Sequence, residues 1–297
     1  MNILLVGSNG FLGNIIKMEL DKDNDFTTLS RSGCNYNVSL ENEVPNFIKS
    51  FDLVIHSAGK AHSVPKTEED KKQFHDVNVT GTLNLLKGLE KSGLPKSFVF
   101  ISSVSVYGRE IGTSIDEDHP LQAKDPYGVS KIEAEKHVEE WCRSNNVVFT
   151  ILRLPLLVGK DAPGNLGAMV KAINKGYYFN IGGGIAKKSM VLAKDVAVFI
   201  SQVAPIGGVY NLTDGVHPNF KDLSFAISKS NKQQINLPFF VAKMFGKIGD
   251  ILGDKAPINS KKVQKITSDL TFDDSKARKL LNWKPESVLS YLKNEKI

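Results

Sequence analysis

Tyr127 and Lys131 stand four residues apart in a segment, Tyr127 to Cys142, that reads as a helix, so a phenol and an ammonium share one helix face. A phenol near pKa ~10 is a poor base at neutral pH. A nearby ammonium, joined by a cationic nicotinamide ring, favours the phenolate and lowers that value. Tyr127 could then take the proton of a hydroxyl while hydride leaves the same carbon, or, in reverse, protonate a ketone being reduced. Lys131 could also hold a nicotinamide ribose. Ser102-Ser103-Val104-Ser105-Val106-Tyr107-Gly108 follows an apolar strand upstream. Ligands of open α/β sheets bind beyond the carboxyl ends of strands. A hydroxyl placed there could hydrogen-bond the reacting oxygen and share its proton with Tyr127. Alone, Tyr-x-x-x-Lys is a common surface pattern, and a serine-rich strand end often caps its own backbone. The combination is what points to chemistry.

A second group supplies the partner such chemistry needs. Gly7-Ser8-Asn9-Gly10-Phe11-Leu12-Gly13 follows the apolar run Ile3-Leu4-Leu5-Val6 and opens a helical pattern. Strand, tight turn and helix give a glycine motif its meaning. Gly7 permits the turn, Gly10 lets backbone approach a pyrophosphate, and Gly13 allows close helix–strand packing. The helix start offers free N–H groups and a positive dipole end to phosphates. The spacing is G-x-x-G-x-x-G rather than G-x-G-x-x-G. The acidic residue expected after the second strand to hold the adenosine ribose is missing; the strand ends Leu29-Ser30-Arg31-Ser32. Arg31 with Ser30 or Ser32 could receive a 2′-phosphate, which tips the choice slightly from NAD to NADP. The alternative is an exposed loop arginine.

The elements that must position these groups alternate. Strands are expected at Phe26 to Leu29, Leu53 to His56, Ser97 to Ser102, Val147 to Leu152 and Val209 to Leu212. Helices are expected from Phe11 to about Asp21, from Phe74 to Leu89 and from Tyr127 to Cys142. Alternation of this kind predicts an α/β protein with a doubly wound parallel sheet. Residues 1–160 then form a dinucleotide-binding domain, with a strand and helix returning around 190–212, and residues 161–297 form mainly a smaller C-terminal α/β substrate lobe. Past Arg153 the texture is broken by Pro155, Pro163, Gly164, Gly182-Gly183-Gly184 and Pro205. Leu237 to Leu252 reads as an amphipathic helix packed on that lobe rather than lying on a membrane.

Bulk properties set limits. A chain of 297 residues with 41% hydrophobic and 24% charged content has enough for a real core. No stretch approaches the roughly 20 uninterrupted apolar residues of a membrane span. The opening Met-Asn-Ile-Leu-Leu-Val-Gly has no basic n-region, and Cys34 and Cys142 form no spacing motif, so a reduced cytoplasmic setting is expected. Net charge is +6, and from Lys229 onward 14 Lys/Arg face 7 Asp/Glu. That surplus reads as a solvated basic lobe or as attraction for an anionic substrate or surface. No basic run interleaved with aromatics suggests nucleic acid, and no metal site is expected.

These residues, in this order, resemble the extended short-chain dehydrogenase/reductases, the nucleotide-sugar epimerases and dehydratases. The likeness includes the glycine loop, Asp52-Leu53-Val54-Ile55-His56-Ser57-Ala58, Asn78-Val79-Thr80-Gly81-Thr82, Ser-Ser-x-x-Val-Tyr-Gly, the Tyr127/Lys131 pair, and Asp273-Asp274-Ser275-Lys276-Ala277 with Trp283-Lys284-Pro285. The resemblance implies a Rossmann domain carrying a smaller substrate lobe, and commonly a homodimer. It implies that Asn37 and Val38 meet adenine, that Ala58 and Gly59 lie over the phosphates, and that Asn78 and Ser102 lie near the cofactor, as does Pro155. Gly7, Asn9, Gly10, Phe11, Leu12 and Gly13 form the cradle. Ser103, Tyr127 and Lys131 are the implied catalytic triad. Asn165, Leu166 and Lys188 are implied at the substrate diphosphate, with Ser105, Lys60 and His62 facing substrate or lying in a solvated loop.

Departures narrow the activity. The 4,6-dehydratases carry Asp-Glu where Val104-Ser105 stand here, so loss of water at C5/C6 is not expected. Arg153 is followed by Leu154-Pro155-Leu156 without the family's Asn, which sets the pocket apart from that of the standard UDP-galactose epimerase. The Ala58-Gly59-Lys60-Ala61-His62 stretch resembles epimerases and 4-ketoreductases of surface-polysaccharide pathways. The expected function is C4 chemistry on a UDP-linked sugar, as an epimerase or as an NADPH-dependent 4-ketoreductase. A non-catalytic NAD(P)-binding sensor is the competing class; its expected mark, loss of Tyr or Lys, is absent.

Overall fold

The structure is a computed structural model that describes residues 1–20, 24–61, 65–228, 234–253 and 258–295. The first half runs β1 (Asn2–Val6), α1 (Phe11–Leu20), β2 (Asp25–Ser30), β3 (Tyr36–Asn37), β4 (Leu53–His56), α2 (Glu68–His75), α3 (Gly81–Ser92), β5 (Ser97–Ser103), β6 (Gly112–Ile115), α4 (Pro126–Ser144) and β7 (Val148–Leu154). The second half runs β8 (Leu156–Val158), α5 (Gly164–Asn174), β9 (Phe179–Ile181), β10 (Met190–Leu192), α6 (Ala193–Val203), β11 (Gly208–Asn211), α7 (Phe220–Ile227), β12 (Ile235–Leu237), α8 (Phe239–Leu252), α9 (Ser260–Thr267), β13 (Leu270–Phe272), α10 (Ser275–Leu281) and α11 (Val288–Asn294).

Seven strands form one parallel sheet in the order β11-β7-β5-β4-β1-β2-β3. The side on which successive strands are added reverses between β1 and β4, the switch point at which open α/β sheets bind ligands. Strands buried on both faces explain the continuous apolar runs. Ile3, Leu5, Ile55, Val99 and Leu152 meet α1, α6 and α10 on one face. Leu4, Val6, Val54, Phe98, Phe100 and Ile151 meet α3 and α4 on the other. The side-chain period of two sends alternate residues of one strand to opposite layers.

The smaller lobe holds three two-stranded parallel ladders, β10-β8, β12-β9 and β13-β6. Its core joins Leu166, Met169, Met190, Leu192, Leu223, Ile227 and Val288. The late sequence motif returns to the main sheet. Trp283 is buried and its indole N–H donates to the Thr213 carbonyl at 2.9 Å. The Thr213 hydroxyl in turn donates to Asp274 at 2.9 Å.

Two elements differ from the sequence expectation. The helix expected over Phe74 to Leu89 is α2 and α3 joined by a π-helical turn, Asp76–Thr80. Leu237 belongs to β12, and α8 begins only after Pro238. Among the described residues no helix is long and apolar enough to cross a membrane.

Candidate functional site

The glycine turn closes on itself. Gly7 has φ +85°, and a Cβ there would lie 2.6 Å from the Ala58 nitrogen, so the β1 and β4 loops touch at the switch point. A Cβ on Gly13 would lie 2.1 Å from the Gly7 carbonyl oxygen, which is why α1 can start so near the turn. Gly10 N–H donates to the Gly7 carbonyl at 3.0 Å, and Asn14 N–H donates to the Gly10 carbonyl at 2.9 Å. The amides of Phe11, Leu12 and Gly13 therefore stand at the open helix end, where no preceding carbonyl reaches them. Asn9 fastens the turn to the next loop: its side-chain amide donates to the Ser32 carbonyl at 2.6 Å, and its backbone N–H to the Ser30 hydroxyl at 3.3 Å.

Arg31, read from sequence as a phosphate ligand, is 65% exposed and pairs with Glu41 at 2.8 Å. Asn37 is exposed and its side-chain oxygen accepts from Cys34 N–H at 3.1 Å. Val38 N–H donates to the Ser30 carbonyl at 2.9 Å.

The loop after β4 is held from below by Asn78. The Asn78 side-chain oxygen accepts from Lys60 N–H at 2.7 Å, and its amide donates to the Lys60 carbonyl at 3.2 Å and to Ser130 at 2.8 Å. Asn78 sits in the π turn, and such turns recur at functional sites. Lys60 reaches Gln73 at 2.5 Å and lies 5.5 Å from the Phe74 ring centroid. His62 lies outside the described residues. A Cβ on Gly59 would lie 3.3 Å from Lys131 Nζ and 3.1 Å from Asn78 Oδ1. Bare backbone between the open end of α1 and a buried lysine is a cradle that fits a dinucleotide: Gly7 to Gly13 would take its phosphates, and Lys131 would meet its far end.

Lys131 is buried, donates to the Ile101 carbonyl at 2.9 Å and lies 4.6 Å from the Phe100 ring centroid. Burial pulls its pKa down to about 8, against the opposing charge of Glu135. Asp125 caps α4 by accepting from Gly128 N–H at 3.0 Å, and Pro126 takes the first helical position, which puts Tyr127 in the first turn. Gly128 has no room for a side chain, since a Cβ would lie 2.8 Å from the Ser105 carbonyl oxygen. That close seat brings Tyr127 against the Ser103–Ser105 turn, where Ser103 favours the ionised phenol. Ser103 also accepts from Ser105 N–H and meets the Ser105 hydroxyl, both at 3.2 Å.

The electrostatics correct one expectation. In the protein alone burial holds the Tyr127 phenol above its ordinary value, Ser103 pulls it down and Asp125 raises it. Lys131 is four residues away on the same face, yet its ammonium is engaged by the Ile101 carbonyl rather than by the phenol.

Beneath the site lies a buried network that spacing alone does not disclose. Glu135, one turn beyond Lys131, pairs with Arg153 at 2.9 Å and accepts from Ser102. Arg153 also donates to the Tyr107 hydroxyl at 3.1 Å, which donates to Asn211 at 2.8 Å. The hydroxyl of Ser102 thus faces Glu135, whereas that of Ser103 donates to the Ser105 hydroxyl. His56 is buried, with Nε2 2.9 Å from the Thr82 hydroxyl, and burial drives its pKa down to about 3.

In the second lobe Asn165 is exposed at the start of α5, and Leu166 is buried in the lobe's core. Pro155 is half-buried between β7 and β8. The Lys188 ammonium donates to the carbonyls of Lys265 and Ser268 at 2.9 and 2.8 Å, and so fastens β10 to the end of α9. No cluster of His, Cys, Asp or Glu fit for a metal is found among the described residues.

A sequence model of the NAD dependent epimerase/dehydratase family matches residues 3–212. An N-acetyl-alpha-D-glucosaminyl-diphospho-ditrans,octacis-undecaprenol 4-epimerase of Escherichia coli O157:H7 is 29% identical, over 93% of this chain and 88% of its own. A UDP-glucose 4-epimerase of Vibrio cholerae is 28% identical, over 97% of this chain and 92% of its own. Among solved structures, UDP-N-acetylglucosamine 4-epimerase from Bacillus cereus superposes with a TM-score of 0.74 at 21% identity, covering 99% of this chain and 94% of that one.

Proposed function

The chain belongs to the NAD dependent epimerase/dehydratase family, and from that premise we propose that it is a 4-epimerase acting at C4 of a UDP-linked sugar in surface-polysaccharide synthesis. The observation that carries the proposal is the seating of the half-buried Tyr127 against the Ser103–Ser105 turn, on the sheet edge shared by the glycine cradle and Lys131. Relatives named as 4-epimerases support it.

A nicotinamide dinucleotide, when bound, supplies the acceptor and donor of hydride. Tyr127 takes the proton from the C4 hydroxyl as the C4–H bond breaks and returns it when the carbon is reduced from the other face. Ser103 holds that oxygen beside the phenol. Lys131, beside Gly59 on the same edge, would hold the nicotinamide ribose. Glu135 opposes the burial of Lys131 and keeps it more cationic. The side chain of Asn165, exposed at the start of α5, is open to a substrate phosphate.

A second reading, a 4-ketoreductase using NADPH, is favoured by the absence of a carboxylate in Leu29-Ser30-Arg31-Ser32. Both readings use the same proton path and differ in whether the cofactor leaves between half-reactions. The test is incubation with UDP- and dTDP-sugars and their 4-keto forms, with and without NADPH or NADH. Conversion of a hydroxyl sugar with no net cofactor consumption is the expected result. Turnover of keto sugars alone, with stoichiometric oxidation of NADPH, would replace the epimerase by the reductase. Tyr127→Phe with turnover intact would end both.

A further inference from the structure

Helix α8 packs inside out. Its inward positions are small: Ala242, Gly246 and Gly249 are buried, and a Cβ on Gly246 would lie 3.1 Å from the Ser260 Cα of α9. Its outward positions are large and apolar. Phe240 is 73% exposed and Ile251 86% exposed, and Met244 and Ile248 share their face at helical spacing. An ordinary surface helix does the reverse. The sequence expectation that the apolar face of this segment packs on the lobe therefore holds only for its small residues.

Charge argues for one kind of occupant on this face. Lys243 and Lys247 lie along one flank of the apolar stripe, exposed and without an ion pair among the described residues. Asp250, the helix's only acidic residue, is turned to α9, where it accepts from Ser260 N–H at 3.0 Å. Helix α9 adds three lysines and no acidic residue. The chain before Lys229 is close to neutral, so the basic surplus of the whole protein is gathered in the last quarter, which carries this face. A second copy of the chain is a poor occupant, because an isologous pairing would bring two lysine rims together. A helix of 14 residues is too short to cross a bilayer but long enough to lie in its interface.

We propose that the second lobe docks on the surface of an anionic phospholipid bilayer, with Phe240, Met244, Ile248 and Ile251 set into the headgroup–acyl boundary and Lys243 and Lys247 on the lipid phosphates. The apolar stripe holds the contact, and the lysines select the lipid charge.

The test is co-sedimentation of the full chain with vesicles of phosphatidylcholine alone and of phosphatidylcholine carrying about one-third phosphatidylglycerol. The wild type is expected to bind the anionic vesicles at least tenfold more strongly and to keep part of that binding in high salt, since apolar contact is not screened. Phe240→Ser with Ile251→Ser is expected to weaken binding at least tenfold with the thermal midpoint unchanged. Lys243→Glu with Lys247→Glu is expected to abolish the preference for anionic lipid, and it provides a second arm should the first variant fold poorly. Failure of the folded wild type to sediment with anionic vesicles, or equal binding by either folded variant, would overturn the proposal. A lipid-independent dimer broken by the Phe240/Ile251 variant would assign the face to a second copy instead.

Discussion

Lys131 in the first lobe and Lys188 in the second share an electrostatic signature. Each is held down to about 8 chiefly by burial, and each donates to main-chain carbonyls. Their surroundings differ. Lys131 stands beside the bare backbone of Gly59, on the helix face that carries Tyr127, with the buried carboxylate of Glu135 a turn below. Lys188 closes the carboxyl end of α9, where carbonyls without helical partners collect and a cation is favoured. A depressed lysine therefore does not mark chemistry. What sets Lys131 apart is the open backbone of Gly59 and the Tyr127 phenol on its own helix face.

The sharpest break in this comparison is at Tyr127. Tyr127→Phe is expected to lower kcat between about 10²- and 10⁴-fold while leaving dinucleotide affinity unchanged, as measured by steady-state kinetics and cofactor titration. A drop in affinity of the same size would show that the phenol holds the cofactor rather than moving a proton.

Next in size is the support beneath Lys131. Glu135→Ala strands the Arg153 guanidinium in the interior and is expected to cost about 3–5 kcal/mol of stability in denaturant unfolding. At Lys188 the opposing carboxylate is Asp269, which accepts from Lys187 N–H at 2.7 Å. Lys188→Met is expected to cost about 2 kcal/mol through the loss of two charge-assisted hydrogen bonds, with the substrate KM unchanged within about twofold. A tenfold rise in KM at constant stability would move Lys188 from α9 to the substrate diphosphate.

Near neutral pH the smallest effect comes from protonation of His56. The folded pKa of His56 lies near about 3, below its value in the unfolded chain, so the unfolded state binds the proton first. The stability owed to the neutral ring is complete above pH ~6.5 and is lost as pH falls toward ~3, at about 1.4 kcal/mol per unit. His56→Gln is expected to flatten the acid limb by about one proton. In the second lobe His217 shifts the same way by burial, but Asp214 and Asp274 oppose it.

Much of the site was legible because its pieces are local. The glycine turn, Ser103 and the Tyr127/Lys131 pair each sit within one strand end or one helix turn. Glu135 was not, nor was its pairing with Arg153 and Ser102, because these residues come from α4, β7 and β5 and meet only when those strands and that helix pack. The same reason hid Gly128, whose missing side chain matters only because the Ser105 carbonyl lies against it. The π turn at Asn78 was also missed, since one extra residue in a helix leaves its apolar period almost unchanged.

The sequence by itself determined the alternation of strands and helices, the buried parallel sheet and the cradle at its edge, because apolar period and glycine spacing act over a few residues. Only the tertiary structure decided that the Ser102 hydroxyl turns to Glu135, that the Lys131 ammonium rests on the Ile101 carbonyl, that Lys188 is a fastening for α9, and that α8 turns its large residues to solvent. Those outcomes depend on which distant atoms compete for the same contact, and that competition takes place only in the packed chain.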